Sequence, residues 1–216
     1  MKSVTQFTLG ILGLVSIRVS WAITLENVML RSTLIILLLA FSAAASAQGF
    51  NYNYLSVGYG NTDFDGLNAD GDGFVFGGSF AINDSLHAFA GFEDAELNSV
   101  VDVTRWNAGV GYNTSLSDTL DMFARLSYES LDFDVPISGS DDDGYGFSVG
   151  ARFRAGNQIE LSAAINYVDY NDFGDDTGLE VGILYDFDDT WALGLMGEWS
   201  DDISTYTISG RFYFGQ

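Results

Sequence analysis

Again and again between Asn51 and Phe214 the chain alternates apolar residues with small or polar ones at a period of two. In "GFVFGGSFAI", Phe74, Phe76, Phe80 and Ile82 share one face, and Val75, Gly77, Ser79 and Ala81 share the other. In "RWNAGVGY", Trp106, Ala108, Val110 and Tyr112 face one way, and Arg105, Asn107, Gly109 and Gly111 the other. Only an extended backbone puts alternate side chains on opposite faces. The same split recurs in Leu86–Phe92, Leu120–Tyr128, Tyr145–Phe153, Ile159–Tyr167, Leu179–Phe187, Trp191–Trp199 and Tyr206–Phe214. In Asn51–Tyr59 tyrosines fall on both faces, so its phase is ambiguous. Together these are about ten strands, each near the 9–11 residues that cross a bilayer at a tilt.

The connections alternate as well. Longer segments follow the odd strands: "NTDFDGLNADGD", "EDAELNSVVDV", "LDFDVPISGSDDD", "VDYNDFGDDT" and the short "DDIS". Tighter links follow the even ones: "NDS", "NTSLSDT", "AGNQ" and "DFDDT". Short turns at the end that holds the termini, with longer loops opposite, are the layout of an outer-membrane barrel. The expected fold is therefore all-β, an antiparallel up-and-down transmembrane β-barrel of about ten strands, with eight as the alternative. A soluble barrel would carry charges along a water-facing strand surface. Here the second face is largely Gly, Ser, Ala and Asn, which suits a narrow lumen. Tyr59, Trp106, Tyr112, Tyr128, Tyr145, Tyr167, Trp191 and Trp199 lie near strand ends and fit the two aromatic girdles.

If the apolar face points outward, the inward face holds Glu93, Arg105, Arg125, Glu129, Arg152, Arg154, Glu160, Glu180, Glu198 and Arg211. That set contains every arginine after residue 47 and every glutamate except Glu96, whereas the aspartates collect in the apparent loops and turns. Arginine does not shed its charge, so in a dry lumen it needs carboxylate partners. The expectation is an arginine–glutamate network that fills and closes the barrel. Arg152 and Arg154, two apart in "SVGARFRAG", share one face close to the turn at Gly156, with Glu160 across that turn as the first candidate partner.

The segment before this region reads as targeting. From Met29, Arg31 gives a positive start, Leu34 to Phe41 an apolar run too short to span a membrane, and Ala45-Ser46-Ala47 a small-x-small cleavage pattern. Residues 29–47 are thus expected to be a signal peptide cut between Ala47 and Gln48. Residues 1–28 read as an over-long N-terminal extension, and 48–216 as the barrel. The chain has no cysteine, which removes disulfides and thiolate metal sites. Its net charge of −22 argues against nucleic acid.

"YNYLSVGYG", "LHAFAGF" and "WNAGVGYN" resemble a family of small bacterial outer-membrane barrels, one member of which was once proposed as a secreted activator of plant immunity and a quorum-sensing signal. The resemblance spans most of residues 50–216. It implies an outer-membrane location and no established enzymatic activity. The extension before Met29 departs from that pattern, as does the ending "RFYFGQ", in which two residues follow the last aromatic, Phe214.

The expected role is therefore a non-enzymatic barrel with acidic extracellular loops, structural or interacting at the cell surface. The alternative is a small cation-preferring diffusion pore, and the remote one an enzyme acting on lipid or protein. Barrel enzymes place a histidine near the outer rim with serine or carboxylate partners. The one histidine, His87, follows the short link "NDS" and belongs at the opposite end. "NADGDG" (68–73) matches the front of an EF-hand loop, but its twelfth position is Ser79 rather than glutamate. Asp70, Asp72, Asp141, Asp142, Asp143, Asp175 and Asp176 are candidates for Ca²⁺ or Mg²⁺, against the plainer reading of solvated acidic loops. No catalytic residue and no cofactor are expected. The expected partners are outer-membrane lipid and lipopolysaccharide, with periplasmic chaperones and the barrel-assembly machinery during biogenesis, for a monomeric protein.

Overall fold

Side-chain alternation becomes ten antiparallel strands that close on themselves: β1 (Tyr54–Phe64), β2 (Ala69–Ala81), β3 (Leu86–Leu97), β4 (Val101–Ser117), β5 (Leu120–Asp134), β6 (Ser140–Arg154), β7 (Ile159–Tyr170), β8 (Gly174–Asp186), β9 (Trp191–Trp199) and β10 (Ile203–Tyr213). The computed structural model describes residues 50–64, 69–97, 101–134, 140–200 and 203–215. The expected signal peptide, its cleavage site at Ala45, Ala47 and Gln48, residues 1–28 and Asn68 lie outside the described residues. Each strand pairs with its sequence neighbours, and β1 closes on β10 from Tyr54↔Tyr213 to Phe64↔Ile203. Closure leaves no unpaired sheet edge, which hydrocarbon would not tolerate. Followed once around the ten strands, the pairing register advances by twelve residues along β1. That stagger tilts the strands by roughly 40° around a lumen only a few side chains wide.

The apolar face points out. Leu55, Phe76, Val110, Leu126, Ile165, Leu195 and Ile208 are all about half or more exposed, as lipid-facing residues of a single-walled barrel must be. Trp106 packs on Tyr128 and Tyr128 on Tyr145 at one level, and Trp191 on Phe212 and Tyr185 on Phe187 at the other. The tight links close by side-chain capping. Asn83 Oδ1 accepts the N–H groups of Ser85 and Leu86, and Asp188 Oδ1 those of Thr190 and Trp191. Gly156, at φ 85, supplies the left-handed residue of the β6–β7 turn.

One expectation is corrected. The acidic segments are not loops but outward continuations of strands. Asp70 and Asp72 lie on β2, Asp141 to Asp143 on β6, and Asp175 and Asp176 on β8. Beyond the bilayer both faces of a strand can be polar, so the oily signature fades while the backbone ladder continues, as in Asp132↔Asp141.

Candidate functional site

The inward faces of the strands and the four residues before β1 build three charged layers. At the end that holds the termini, residues 50–53 leave the wall and enter the lumen. Asn53 ties them down: its Oδ1 accepts the Ala81 N–H at 2.9 Å and its carbonyl the Phe214 N–H at 3.1 Å. Tyr52, 5% exposed, then reaches across to β5 and donates its hydroxyl to Asp121 Oδ2 at 2.6 Å. Its ring stacks on His87 at 4.3 Å, and His87 Nδ1 meets Asn113 Oδ1 at 3.1 Å. Asp121, fully buried, also accepts the Ser115 hydroxyl at 2.9 Å.

Beside it, Arg152 holds Glu160 through two hydrogen bonds, Nε to Oε1 at 2.8 Å and Nη2 to Oε2 at 2.9 Å. The Arg152 guanidinium also lies over the Phe50 and Tyr52 rings, 5.0 and 4.7 Å from their centroids. Register puts Glu160 opposite Arg154, yet it bonds diagonally to Arg152. The diagonal neighbour across a twisted ladder is within reach of a long side chain. Arg154 instead faces the Phe50 ring at 5.3 Å.

The middle layer holds Arg125 and Arg211, neither of which has a carboxylate within ion-pair distance among the described residues. Arg125 lies over Phe89 and Phe123, at 5.1 and 4.6 Å from the centroids, and Arg211 over Tyr54 at 4.1 Å. Inward glycines make room for these rings: a Cβ on Gly150 would stand 2.5 Å from the Phe123 ring. Glu180 lines the same space, a cavity of about 320 Å³. In the outer layer Arg105 bonds Glu93 at 2.9 Å, with Glu198 at 3.9 Å, while Glu129 accepts the Ser127 hydroxyl.

All ten inward charges thus occupy lumenal positions of their strands, but matched Arg–Glu pairing does not run through the set. Arg105 and Arg152 have carboxylate partners. Arg125, Arg154 and Arg211 instead lie over the rings of Phe89 and Phe123, Phe50, and Tyr54, with no carboxylate within ion-pair distance among the described residues. Nor are the aspartates confined to turns, since Asp121 is inward and buried on β5. Parity alone would have placed Asp121, Phe89 and Phe123 inside, but no local signal marked Tyr52 as lumenal.

Among the described residues no group of three or more His, Asp or Glu is placed to hold a metal ion. Asp142 spends its carboxylate on backbone, accepting the N–H groups of Asp143, Asp172 and Phe173, each at 2.8 Å. Asp72 accepts the Tyr59 hydroxyl.

Residues 33–194 match the sequence model of a family described as outer membrane protein beta-barrel domain. No curated protein matches the chain. Among solved structures it is similar to the NanC porin, at 11% identity over 74% of this chain and 100% of that one, with a TM-score of 0.51. It is also similar to the translocator domain of the autotransporter NalP from Neisseria meningitidis (10% identity, 88% and 96% covered, TM-score 0.48) and to the KdgM porin in complex with disordered oligogalacturonate (13%, 74% and 99%, TM-score 0.44). At these identities the likeness is one of fold.

Proposed function

This chain belongs to the outer membrane protein beta-barrel domain family, and we propose that it is a non-enzymatic protein of the outer membrane whose lumen is shut at the periplasmic end by its own residues 50–53. The observation that carries this reading is the Tyr52 latch: a buried phenol bonded to buried Asp121, stacked on His87 and flanked by the Arg152–Glu160 pair. A buried, bidentate ion pair with a ring over it is a poor element for a permanently open path, because every group in it is already committed. His87 supports the non-enzymatic reading, since its ring lies under Tyr52 and its Nδ1 on an asparagine rather than at the outer rim with an acid or a serine. In this reading the protein is a monomer, delivered by periplasmic chaperones and the assembly machinery, with lipid and lipopolysaccharide as its standing neighbours.

The pore reading has one observation in its favour, the polar chamber of about 320 Å³ above the latch. Planar-bilayer recordings on the refolded barrel separate the two. The latch predicts no steady conductance from the wild type, and a marked increase from Tyr52→Ala or from a chain lacking residues 48–53. Steady ohmic current through the wild type would overturn the closed-lumen reading and put a pore in its place.

A further inference from the structure

The outer third of the lumen is not lined as a water channel would be. Above the Arg105 layer the inward positions of β3, β4, β5 and β7 include Leu97, Val103, Leu131, Phe133 and Val168, joined by Ile203 at the start of β10, and with Tyr170, Thr62 and Thr205 they line a second cavity of about 150 Å³. Phe133 packs edge-on against Phe173 at 5.7 Å, and the other apolar side chains remain half-buried with no packed core over them among the described residues, so apolar surface is left there to cover. A space of that size holds one benzene-sized group. The floor is charged, and the charges do not balance. One guanidinium, Arg105, stands among three carboxylates: Glu93 at 2.9 Å, Glu198 at 3.9 Å, and Glu129 below them on Ser127. Glu93 is committed to Arg105 by a hydrogen bond. Glu198 is beyond hydrogen-bond distance from it, its side chain is 28% exposed, and it lines both cavities. Asp176 adds a further acid to the wall.

Apolar walls of single-ring size over a floor with surplus carboxylate specify one kind of occupant. We propose that the outer lumen is a binding cup for a small amphipathic cation, an ammonium carried on one aromatic ring or short branched alkyl group. The apolar group fills the space between Leu97, Val103, Leu131 and Ile203, and the ammonium takes Glu198 as its acceptor. The acidic strand ends around the mouth raise the local concentration of such a cation. The cup is set by the outer layer alone and is independent of whether the lower lumen conducts.

The test is an NMR titration of the refolded barrel in micelles, with Leu, Val and Ile methyls labelled. The probes are benzylammonium, benzyl alcohol and benzoate, one ring with three head groups. Benzylammonium is expected to give saturable shifts at Leu97, Val103, Leu131 and Ile203, with affinity about tenfold above benzyl alcohol, the worth of one charge-assisted contact. Glu198→Gln is expected to remove that advantage and leave benzyl alcohol unchanged. The comparison of probes on the wild type carries the test even if that variant fails to fold, and Leu131→Asn supplies a second variant, expected to weaken benzylammonium and benzyl alcohol alike. Equal or tighter binding of benzyl alcohol or benzoate overturns the proposal. So do shifts confined to lipid-facing methyls such as Leu195, which report only partition into the micelle.

Discussion

Replacing Glu160 by glutamine keeps the shape of the lower lumen and removes one charge. The partner that stays behind, Arg152, has a side chain only 6% exposed, and Glu160 itself is 4% exposed. Both hydrogen bonds of the pair are short, at 2.8 and 2.9 Å. Two unit charges about 4 Å apart in a medium of effective dielectric near 20 attract by about 4 kcal/mol. Deleting one member of such a buried pair costs about 3–5 kcal/mol, because the other is left charged and unpaired. The Phe50 and Tyr52 rings over Arg152 return about 1 kcal/mol at most, since they were already in contact before the change. The Asn51 carbonyl, 3.5 Å from the guanidinium, is too long to substitute. Glu160→Gln should therefore lose about 3 kcal/mol or more, measured by reversible urea unfolding in detergent or lipid vesicles with tryptophan fluorescence and gel mobility as independent probes. Replacing both members, as Arg152→Met with Glu160→Leu, should cost clearly less than the sum of the two single changes, because no orphan charge is left. A Glu160→Gln barrel within about 0.5 kcal/mol of the wild type, or a double-mutant cycle that is simply additive, would refute the claim that this pair is dry and coupled.

Two further outcomes test other parts of the structure. Leu195 stands midway between the girdle residues Trp191 and Trp199 and is 55% exposed to lipid, so Leu195→Arg should cost about 2–4 kcal/mol, while the same charge at its lumenal neighbour Met196 should cost less; equal tolerance at the two positions would reverse the assignment of faces. Asp142 stands outside the bilayer, beyond the girdle residue Tyr145; loss of hydration raises its carboxylate, but the N–H groups of Asp172, Phe173 and Asp143 outweigh that and hold it below the usual range. Its contribution is therefore complete above the unfolded carboxylate range and is lost as pH falls through its lowered value, so the Asp172 and Phe173 amides should lose hydrogen-exchange protection in acid before the rest of the barrel, an order that Asp142→Asn should abolish.

Which features the sequence made legible follows from what period-two alternation can carry. It reports the direction of a side chain, and ten of the eleven strand-borne arginines and glutamates share the lumenal parity, Glu96 on β3 alone having the other. It does not report distance, so it did not separate Arg152, which reaches Glu160, from Arg154, which does not. Strand ends were harder. Leu120–Tyr128 continues to Asp134 and Tyr145–Phe153 begins at Ser140, because outside the bilayer polar residues suit both faces and no oily stripe marks the pairing. Tyr52 was the least legible, since β1 itself carries a lumenal Tyr54 and an outward Tyr59, and nothing in that mixed parity signals that residues 50–53 leave the wall.

The outer lumen carries an acidic surplus and the lower lumen holds four arginines among four carboxylates, and this bears on conduction more strongly than the latch alone. Around the outer layer Glu93, Glu129 and Glu198 outnumber Arg105; below it Arg125, Arg152, Arg154 and Arg211 are matched in number by Glu160, Glu180, Asp121 and Asp186. A cation drawn in by the acidic mouth would next meet arginines that do not lose their charge. An anion favoured by those arginines would first have to pass the acidic ring. Each sign is attracted at one level and repelled at the next, whereas a selective pore carries one sign of charge along its path. Removal of the Tyr52 latch should therefore yield a small conductance with weak ion selectivity. Arg125→Ala in the same background should turn that selectivity toward cations, because it removes a mid-lumen charge that has no carboxylate within ion-pair distance among the described residues.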